Sequence, residues 1–580
     1  MSDSETILNQ PMKRKTTTSP DRAVAAFLGA AIGDALGWPF EGRANGAPNP
    51  RDWDGKFLGW KKRSGSRFAL WWEHVKPGEY SDDTQLILAV ARARATGEDW
   101  WKHFARVELP FWTCYERGGG GATKRAANSW LSGVAPWESS AKDVATRYFE
   151  AGGNGAAMRV LPHCVSHASD DDFCALGADV FADAITTHGH PRALVGALVF
   201  AYIVWSAFKR VEVLDYGYLI RLCLEDVGAW AALPDISHRW PSWLALAEEH
   251  IQDFRQVWSS TVDEVTALCR QASDGLAAGV LSDDLSVLKE LGGLTPKTNG
   301  AGTTTAISAI YFASRYAASP MEGVRRAACA VGADTDTLAS MCASLLGAIN
   351  GTSWLQPDVA QIQDVEYIRL TAEDLAFRRK VSATWNQVGK RDIGGIVSQL
   401  REWRKVQEIE LPIGLYVTSV ASEIEDRGGR SVERFHVCTS TGLSLQINGG
   451  NVAKADNSKA GADADFEPSV GLSLSVYNLN QSREFYEEHL GLKVTGVTQK
   501  AVRFSSTLAL KEDREALASC NGIKIFVNVA DVDSCFRRLA EAGLESSKIV
   551  ARGNTRSFEC QDPSGYAVEV FERTREDVMD

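Results

Sequence analysis

Ser81-Asp82-Asp83-Thr84 runs straight into Gln85-Leu86-Ile87-Leu88-Ala89-Val90-Ala91, and Asp334-Thr335-Asp336-Thr337 into Leu338-Ala339-Ser340-Met341-Cys342-Ala343-Ser344-Leu345-Leu346. Each stretch reads as a helix whose first turn carries carboxylates and hydroxyls and whose body is small and apolar enough to face a core. Asp, Ser and Thr are ordinary N-caps, and either run alone has that explanation. Two such runs opening inward-facing helices are hard to explain by solvation. If they meet in space, they supply about four negative charges and only oxygen ligands, which fits two hard divalent cations such as Mg2+, Mn2+ or Ca2+ and not zinc.

The helical texture extends from about Asp21 to Lys405. Arg22 to Leu36 places Ala23, Val24, Phe27, Ala30 and Ala31 at helical spacing, with small residues that allow close packing, and Gly37-Trp38-Pro39 stops it. Strand-like alternation is rare there, so 21–405 is expected to be an all-α domain. Within it, Trp230, Trp240, Trp243 and Trp258 mark 211–291 as further packed helices and not a disordered insert. After Glu408 the runs Leu415 to Val420 and Arg434 to Cys438 read as a hairpin around Gly428-Gly429. Gly449-Gly450 through Asp465 has almost nothing to bury and reads as a flexible linker, so 406–468 is a β-hairpin segment plus linker. From 469 to 573 the order strand, helix, strands occurs twice, ending around the turn Asp562-Pro563-Ser564-Gly565. That repeat makes a compact α/β domain, and the chain is multidomain.

Composition narrows the setting. At 580 residues the chain exceeds a single core. A net charge of −12 argues against a protein built to wrap nucleic acid. Eleven cysteines without a CxxC pair read as reduced thiols of a cytoplasmic protein. No apolar run is read as reaching the roughly 20 residues that span a bilayer, and no membrane partner is expected. Residues 1–20 are polar, lack the apolar segment of a secretory signal, and read as a flexible leader.

Five blocks, in order, carry a resemblance. They are Gly29-Ala30-Ala31-Ile32-Gly33-Asp34-Ala35-Leu36-Gly37 with Glu41-Gly42; Tyr80 to Gln85; Gly153-Asn154-Gly155-Ala156-Ala157-Met158-Arg159; Thr187-His188-Gly189-His190-Pro191; and Gly332 to Thr337 followed by Gly347-Ala348-Ile349-Asn350-Gly351. Together they resemble the ADP-ribosylglycohydrolase family, with Ser81 where Thr is usual and Ala333 where Gly is common. The resemblance implies two Mg2+ ions, held by Ser81, Asp82, Asp83, Asp334, Asp336 and Thr337, and removal of ADP-ribose from an acceptor.

Hydrolysing a ribosyl bond passes through an oxocarbenium-like state, which asks for an activated water and held ribose hydroxyls. A cation pair about 3.5–4 Å apart can do both. Asp336 is assigned to this catalytic centre as well as to the ions. Glu41, otherwise a solvated loop carboxylate, is by resemblance a gate or acid/base residue. Asp34 is either a buried group bonded to a neighbouring helix end or an indirect support of the metal centre. Gly153, Asn154, Gly155 and Met158 lie in a loop with little side-chain bulk, whose N–H groups can approach a pyrophosphate; the alternative is a tight turn. His188 is assigned to substrate contact, against a role as a core histidine. Gly118 to Gly121, with Lys124 and Arg125, also has the look of a phosphate loop, without family support.

Ser482-Arg483-Glu484-Phe485-Tyr486, Leu490-Gly491-Leu492 and Asp562 to Tyr566 leading to Glu569 resemble the glyoxalase/bleomycin-resistance, or vicinal oxygen chelate, superfamily. The positions where its enzymes hold a metal are here Gly471, Lys524 and Glu569, and only the last is a ligand. The domain is therefore expected to bind a small ligand or mediate assembly without a metal. The leading reading is a metal-dependent hydrolase acting on an ADP-ribosylated acceptor: a protein side chain first, with nucleic acid or a small molecule open. The alternatives are a non-catalytic relative, or a resistance protein that sequesters a small molecule through the C-terminal domain. Every motif of the hydrolase site lies before Trp354, so a chain ending near Lys405 is expected to keep hydrolysis.

Overall fold

The computed structural model describes residues 19–451 and 472–573, apart from short stretches inside both spans such as 404–407, 427–430, 513–523 and 563–566. The leader up to residue 18, most of the expected linker, the Gly428-Gly429 loop, Gly471 and the Pro563-Ser564-Gly565 turn lie outside the described residues. The chain divides into two units, Met1–Ala455 and Asp456–Asp580.

Helix α1, Pro20–Gly37, starts on a proline whose fixed φ suits the first helical position, and it is buried from Ala23 to Gly37. A helix apolar on every side belongs inside a bundle. Its partner is the helix Thr335–Asn350, which runs antiparallel to it. The two backbones come so close that a Cβ on Gly33 would lie 2.2 Å from the Ala339 carbonyl oxygen, and one on Gly37 2.2 Å from that of Thr335. Glycine is needed there for the approach itself. Because the pair is antiparallel, the C-terminal end of α1 meets the first turn of its partner. Helix α2, Asp82–Ala95, and the helices Pro191–Lys209 and Gly302–Tyr316 complete the surroundings. In the 211–291 region the four tryptophans are buried among packed helices, as expected.

The all-α expectation needs one addition. Strands β1 (Ala44–Asn45), β2 (Trp60–Ser66) and β3 (Ala69–Val75) form an antiparallel sheet after α1. The alternation is hidden by Lys61, Lys62 and Arg63 on one strand and by Trp71-Trp72 on the other. A second correction concerns membranes: Pro20–Phe40 and Pro191–Lys209 are long and apolar enough to cross one. Both are core helices here, 100% and 89% buried.

The segment expected to stand alone at 406–468 belongs, over Ile409 to Asn451, to the first unit. Over its described residues it is a three-stranded antiparallel sheet, β4 (Val417–Asp426), β5 (Ser431–Thr439) and β6 (Ser444–Asn451), one strand more than the expected hairpin. Gly449 and Gly450, assigned to the linker, are in β6. Phe435, Val437, Leu445 and Ile447 alternate into the main core, which is what fixes the register.

The second unit repeats as its sequence does. Strands β7 (Leu472–Val476), β8 (Val494–Thr498), β9 (Ala501–Phe504) and β10 (Leu508–Glu512) form a sheet in the order β7-β10-β9-β8. Strands β11 (Lys524–Asn528), β12 (Val550–Arg552), β13 (Thr555–Gln561) and β14 (Ala567–Arg573) do so in the order β11-β14-β13-β12. In each sheet the outer strand pairs parallel with the last one, and a helix connects the first two strands.

Candidate metal centre

Asp34 organises the first acidic run. It is wholly buried on α1. One carboxylate oxygen accepts the Ser81 N–H at 2.9 Å; the other accepts the Thr84 N–H at 3.0 Å and its hydroxyl at 2.6 Å. The first turn of a helix has N–H groups without intrahelical acceptors, and Asp34 supplies two of them from a different helix. Ser81 caps α2 itself, accepting the Asp83 N–H at 3.3 Å. With the backbone so held, Asp82 and Asp83 project from α2 as buried carboxylates.

The second run meets the first. The Thr337 hydroxyl donates to Asp83 at 3.1 Å, and the Thr335 hydroxyl donates to the Gly37 carbonyl at 2.8 Å. Asp334 accepts from the Asn154 amide at 2.9 Å. Ligand atoms of Glu41, Asp334 and Asp336 all lie within 4.8 Å of one another. Glu41 is exposed, Asp334 half-buried and Asp336 buried, so the group opens outward at Glu41.

Negative charge accumulates here, with Lys62 as a minor counterweight at Asp82. Burial pushes the Asp336 carboxyl well above the ordinary range, and Glu41, Asp334 and Asp83 push it further. Asp83 is raised by burial and by Asp34, Asp82 and Asp334; Asp82 by burial and by Glu116, Asp34 and Glu41. One Asp83 oxygen is buried with no hydrogen-bond partner among the described residues. A buried acceptor left unpaired beside crowded carboxylates fits a hard divalent cation, and the donor set is all oxygen. Ser81, Asp82, Asp83, Asp334, Asp336 and Thr337 are thus gathered at two adjoining helix starts, and Glu41 joins them.

The glycine-rich loop lies beside this group. Asn154–Arg159 is a short 3-10 turn, tied by the Asn154 N–H to the Gly300 carbonyl at 3.0 Å. Fully buried Arg159 bonds the Gly155 carbonyl, the Asp183 carboxylate and the Thr187 hydroxyl, which fixes the turn from behind. His188 also lies behind it: a Cβ on Gly155 would be 3.0 Å from its ring. Only 2% of His188 is exposed, its Nδ1 is 2.8 Å from the Thr187 hydroxyl, and burial, with Arg159 and Arg125, lowers it to about 3. The structure therefore puts a neutral, buried ring under the loop, and Asn154 at its rim. Met158 is buried.

Gly118 was undervalued by sequence reasoning. It sits at φ +96°, where a Cβ would be 3.3 Å from an Asp82 carboxylate oxygen and 3.4 Å from the Trp38 ring. The run Gly118 to Gly121 therefore starts at the acidic group. The signal available was the glycine run itself, and no spacing rule linked it to Asp82. In the second unit, Lys524 begins β11 opposite Ala567, and Glu569 lies in β14 opposite Phe526.

Comparison with known proteins supplies the remaining link. Residues 15–384 match the family model described as ADP-ribosylglycohydrolase, and residues 470–570 that of the glyoxalase/bleomycin resistance protein/dioxygenase superfamily. The ADP-ribosyl-[dinitrogen reductase] glycohydrolase of Rhodospirillum rubrum is 30% identical over 187 residues, 32% of this chain and 57% of that protein. The chain thus spans little more than half the length of that relative. The uncharacterized protein YegU of Escherichia coli K12 is 26% identical over 58% of this chain and 90% of its own. A solved ADP-ribosylglycohydrolase-related protein complex aligns with 62% of this chain and 98% of its own at 21% identity and a TM-score of 0.37. A lactoylglutathione lyase from Agrobacterium tumefaciens aligns with 18% of this chain and 94% of its own, at 22% identity and a TM-score of 0.16. With the matched model covering well over half of its length, this chain belongs to the ADP-ribosylglycohydrolase family.

Proposed function

We propose that the chain is a hydrolase that cleaves the ribosyl bond of an ADP-ribosylated acceptor and releases ADP-ribose, using two Mg2+ ions. The observation that carries this reading is the meeting of the two acidic runs: Thr337 bonds Asp83, ligand atoms of Glu41, Asp334 and Asp336 lie within 4.8 Å of one another, and one buried Asp83 oxygen has no partner among the described residues. Ser81, Asp82, Asp83, Asp334, Asp336 and Thr337 would hold the ions, with Glu41 at the open side. Bound there, divalent ions orient a sugar diol and lower the pKa of a water.

The chain's own groups supply the rest. Asp34 keeps the two metal-run N–H donors paired, so that Asp82 and Asp83 stay aimed inward. Asn154 holds Asp334 through its amide. The loop from Gly153 to Met158, stiffened by Arg159 and His188, offers backbone N–H groups to a pyrophosphate. Glu41 is the exposed carboxylate best placed to move a proton at the leaving or attacking oxygen.

The acceptor is assigned first as a protein side chain. The second unit is assigned ligand binding or assembly, since Lys524 stands where a metal ligand would be needed. The ten described cysteines are all free, which supports a cytoplasmic setting.

The test is incubation with Mg2+ and a panel of acceptors ADP-ribosylated on arginine, serine, other side chains, nucleobases or small molecules, reading free ADP-ribose. Release from at least one acceptor, lost on chelation, is expected. Tight Mg2+ binding with no release from any acceptor would replace this reading with that of a non-catalytic relative.

A further inference from the structure

Strands β4–β6 lie beyond the matched span 15–384 and hold none of the acidic group. Three tethers nevertheless run from them to the loops beside it. The Ser444 N–H donates to Asp364 at 3.0 Å, and the other Asp364 oxygen accepts the Tyr80 hydroxyl at 2.7 Å, one residue before Ser81. The Asn448 N–H donates to the Cys114 carbonyl at 2.9 Å, at the start of the segment leading to Gly118.

The third tether is a closed ring. Arg434 on β5 donates to Glu73 at 3.3 Å and to the Gln446 side-chain oxygen at 2.6 Å. Arg117 donates to Glu73 at 3.0 Å and to Glu79 at 3.0 Å, and the Gln446 amide closes the ring on Glu79 at 3.3 Å. Arg434, Glu73 and Arg117 are each at least nine-tenths buried. Arg117 immediately precedes Gly118, which borders Asp82, and its guanidinium also lies 5.3 Å over the Trp38 ring that Gly118 abuts.

We propose that Arg434 is a positioning residue: through Glu73 and Arg117 it fixes the Gly118 loop at the edge of the Asp82 side of the site. The appended sheet is then part of how this chain holds its ADP-ribosylated substrate. Removing Arg434 leaves Glu73 facing Lys62 and Arg117, and takes the 3.1 Å ion pair from Glu425, whose carboxylate is partly exposed to solvent. What is lost is the closure of the ring, and with it the fixed placement of Arg117. This inference rests on the hydrolase reading for its substrate, but the tether itself is independent of it.

The experiment uses the full chain with Arg434→Gln. Its KM for the ADP-ribosylated substrate should rise about tenfold, the weight of one hydrogen bond in a buried network, while kcat and Mg2+ affinity stay near wild type. Amide exchange should quicken over 116–121 and stay unchanged over Thr335–Asn350, and Arg434→Lys should recover part of both effects. Unchanged KM together with unchanged exchange over 116–121 overturns the proposal, as does an equal loosening of the whole first unit. If Arg434→Gln fails to fold, Gln446→Ala opens the same ring while every charge keeps its partner, and it carries the same expectations. If the wild type releases no ADP-ribose, exchange over 116–121 alone decides the tether, and the hydrolase reading fails separately.

Discussion

The Thr337 hydroxyl stands 3.1 Å from an Asp83 carboxylate oxygen, joining two helix starts that are 254 residues apart in the chain. One hydrogen bond is a small force, and it does not bring the carboxylates together. The close antiparallel packing of α1 on the Thr335–Asn350 helix does so, through Gly33 and Gly37. Core packing thus holds like charges at short range.

Their repulsion has a sign that can be checked. The folded pKa values of Asp82, Asp83 and Asp336 lie above their usual 3.8. A raised carboxyl stabilises the fold fully below the unfolded pKa and loses that contribution as pH rises through the folded one. Without metal, ionising these carboxyls as pH rises therefore costs stability. Asp336→Asn keeps an oxygen for the Thr337 N–H, so its metal-free Tm should rise by about 2–4 °C while hydrolysis is abolished. Mg2+ should raise the wild-type Tm more than that of the variant. Melting curves in EDTA and in Mg2+ decide this; a lower metal-free Tm for Asp336→Asn, or full hydrolysis after exhaustive chelation, contradicts it.

Asp34 stands behind the acidic group, bonded to the first turn of α2, and it should matter twice. Asp34→Ala leaves two buried N–H groups and the Thr84 hydroxyl without their acceptor, each worth about 1–3 kcal/mol. Urea unfolding should show a loss of several kcal/mol, and Mg2+ affinity should weaken because α2 begins less rigidly. Asp34→Asn, which keeps one acceptor oxygen, should fall between. Wild-type Mg2+ affinity in a folded Asp34→Ala protein would confine Asp34 to the core.

Much of this was legible in the chain. The two acidic runs, the small-residue helix Arg22 to Leu36 and the doubled strand-helix-strand order were local patterns with local causes, and the structure has them. What was not legible depended on pairing across distance. Lys61-Lys62-Arg63 does not read as a strand until Glu73 faces Lys62 across a hairpin. Gly118 is an ordinary glycine until Asp82 lies beside it. Gly449-Gly450 reads as linker because glycine has no side chain to bury, while its backbone pairs with β5. His188 reads as a ligand contact from its Thr-His motif, while its place against the Gly155 backbone depends on folding that the motif does not show.

Glu41 is where the structure changes a sequence-based expectation. As a pure acid/base residue, Glu41→Gln would lower kcat and leave Mg2+ affinity alone. Its carboxylate instead lies within 4.8 Å of ligand atoms of both Asp334 and Asp336. Glu41→Gln should therefore lower kcat by about 10²–10⁴-fold and also weaken Mg2+ binding. Calorimetric titration of Mg2+ into the variant separates the two; unchanged affinity restores the pure acid/base role, and unchanged kcat removes Glu41 from the chemistry.

Where the first unit ends is also testable, and the structure moves the boundary. A stop near Lys405 would delete β4–β6, uncover the core faces that Phe435, Val437, Leu445 and Ile447 bury, and take Arg434 from Glu73. Burial holds the Glu73 carboxyl up, and Arg117, Lys62 and Arg434 together outweigh it, leaving it at about 2. Its contribution to stability is thus present above the ordinary 4.5 and lost as pH falls towards 2, so losing Arg434 should also narrow acid tolerance. A chain of residues 1–405 should be insoluble or melt far below the full protein, since the remaining core loses the packing of four large apolar side chains, each worth about 1.5–3 kcal/mol of burial. A chain ending at Ala455 keeps the whole first unit and its core, because the second unit has a separate core around Phe485, Tyr486, Val532 and Val568. The 1–455 protein should retain its Tm within a few degrees and its hydrolysis of a small ADP-ribosylated substrate. A stable, active 1–405 protein would show that β4–β6 is a passenger, and a well-folded but inactive 1–455 protein would show that the second unit takes part in the reaction.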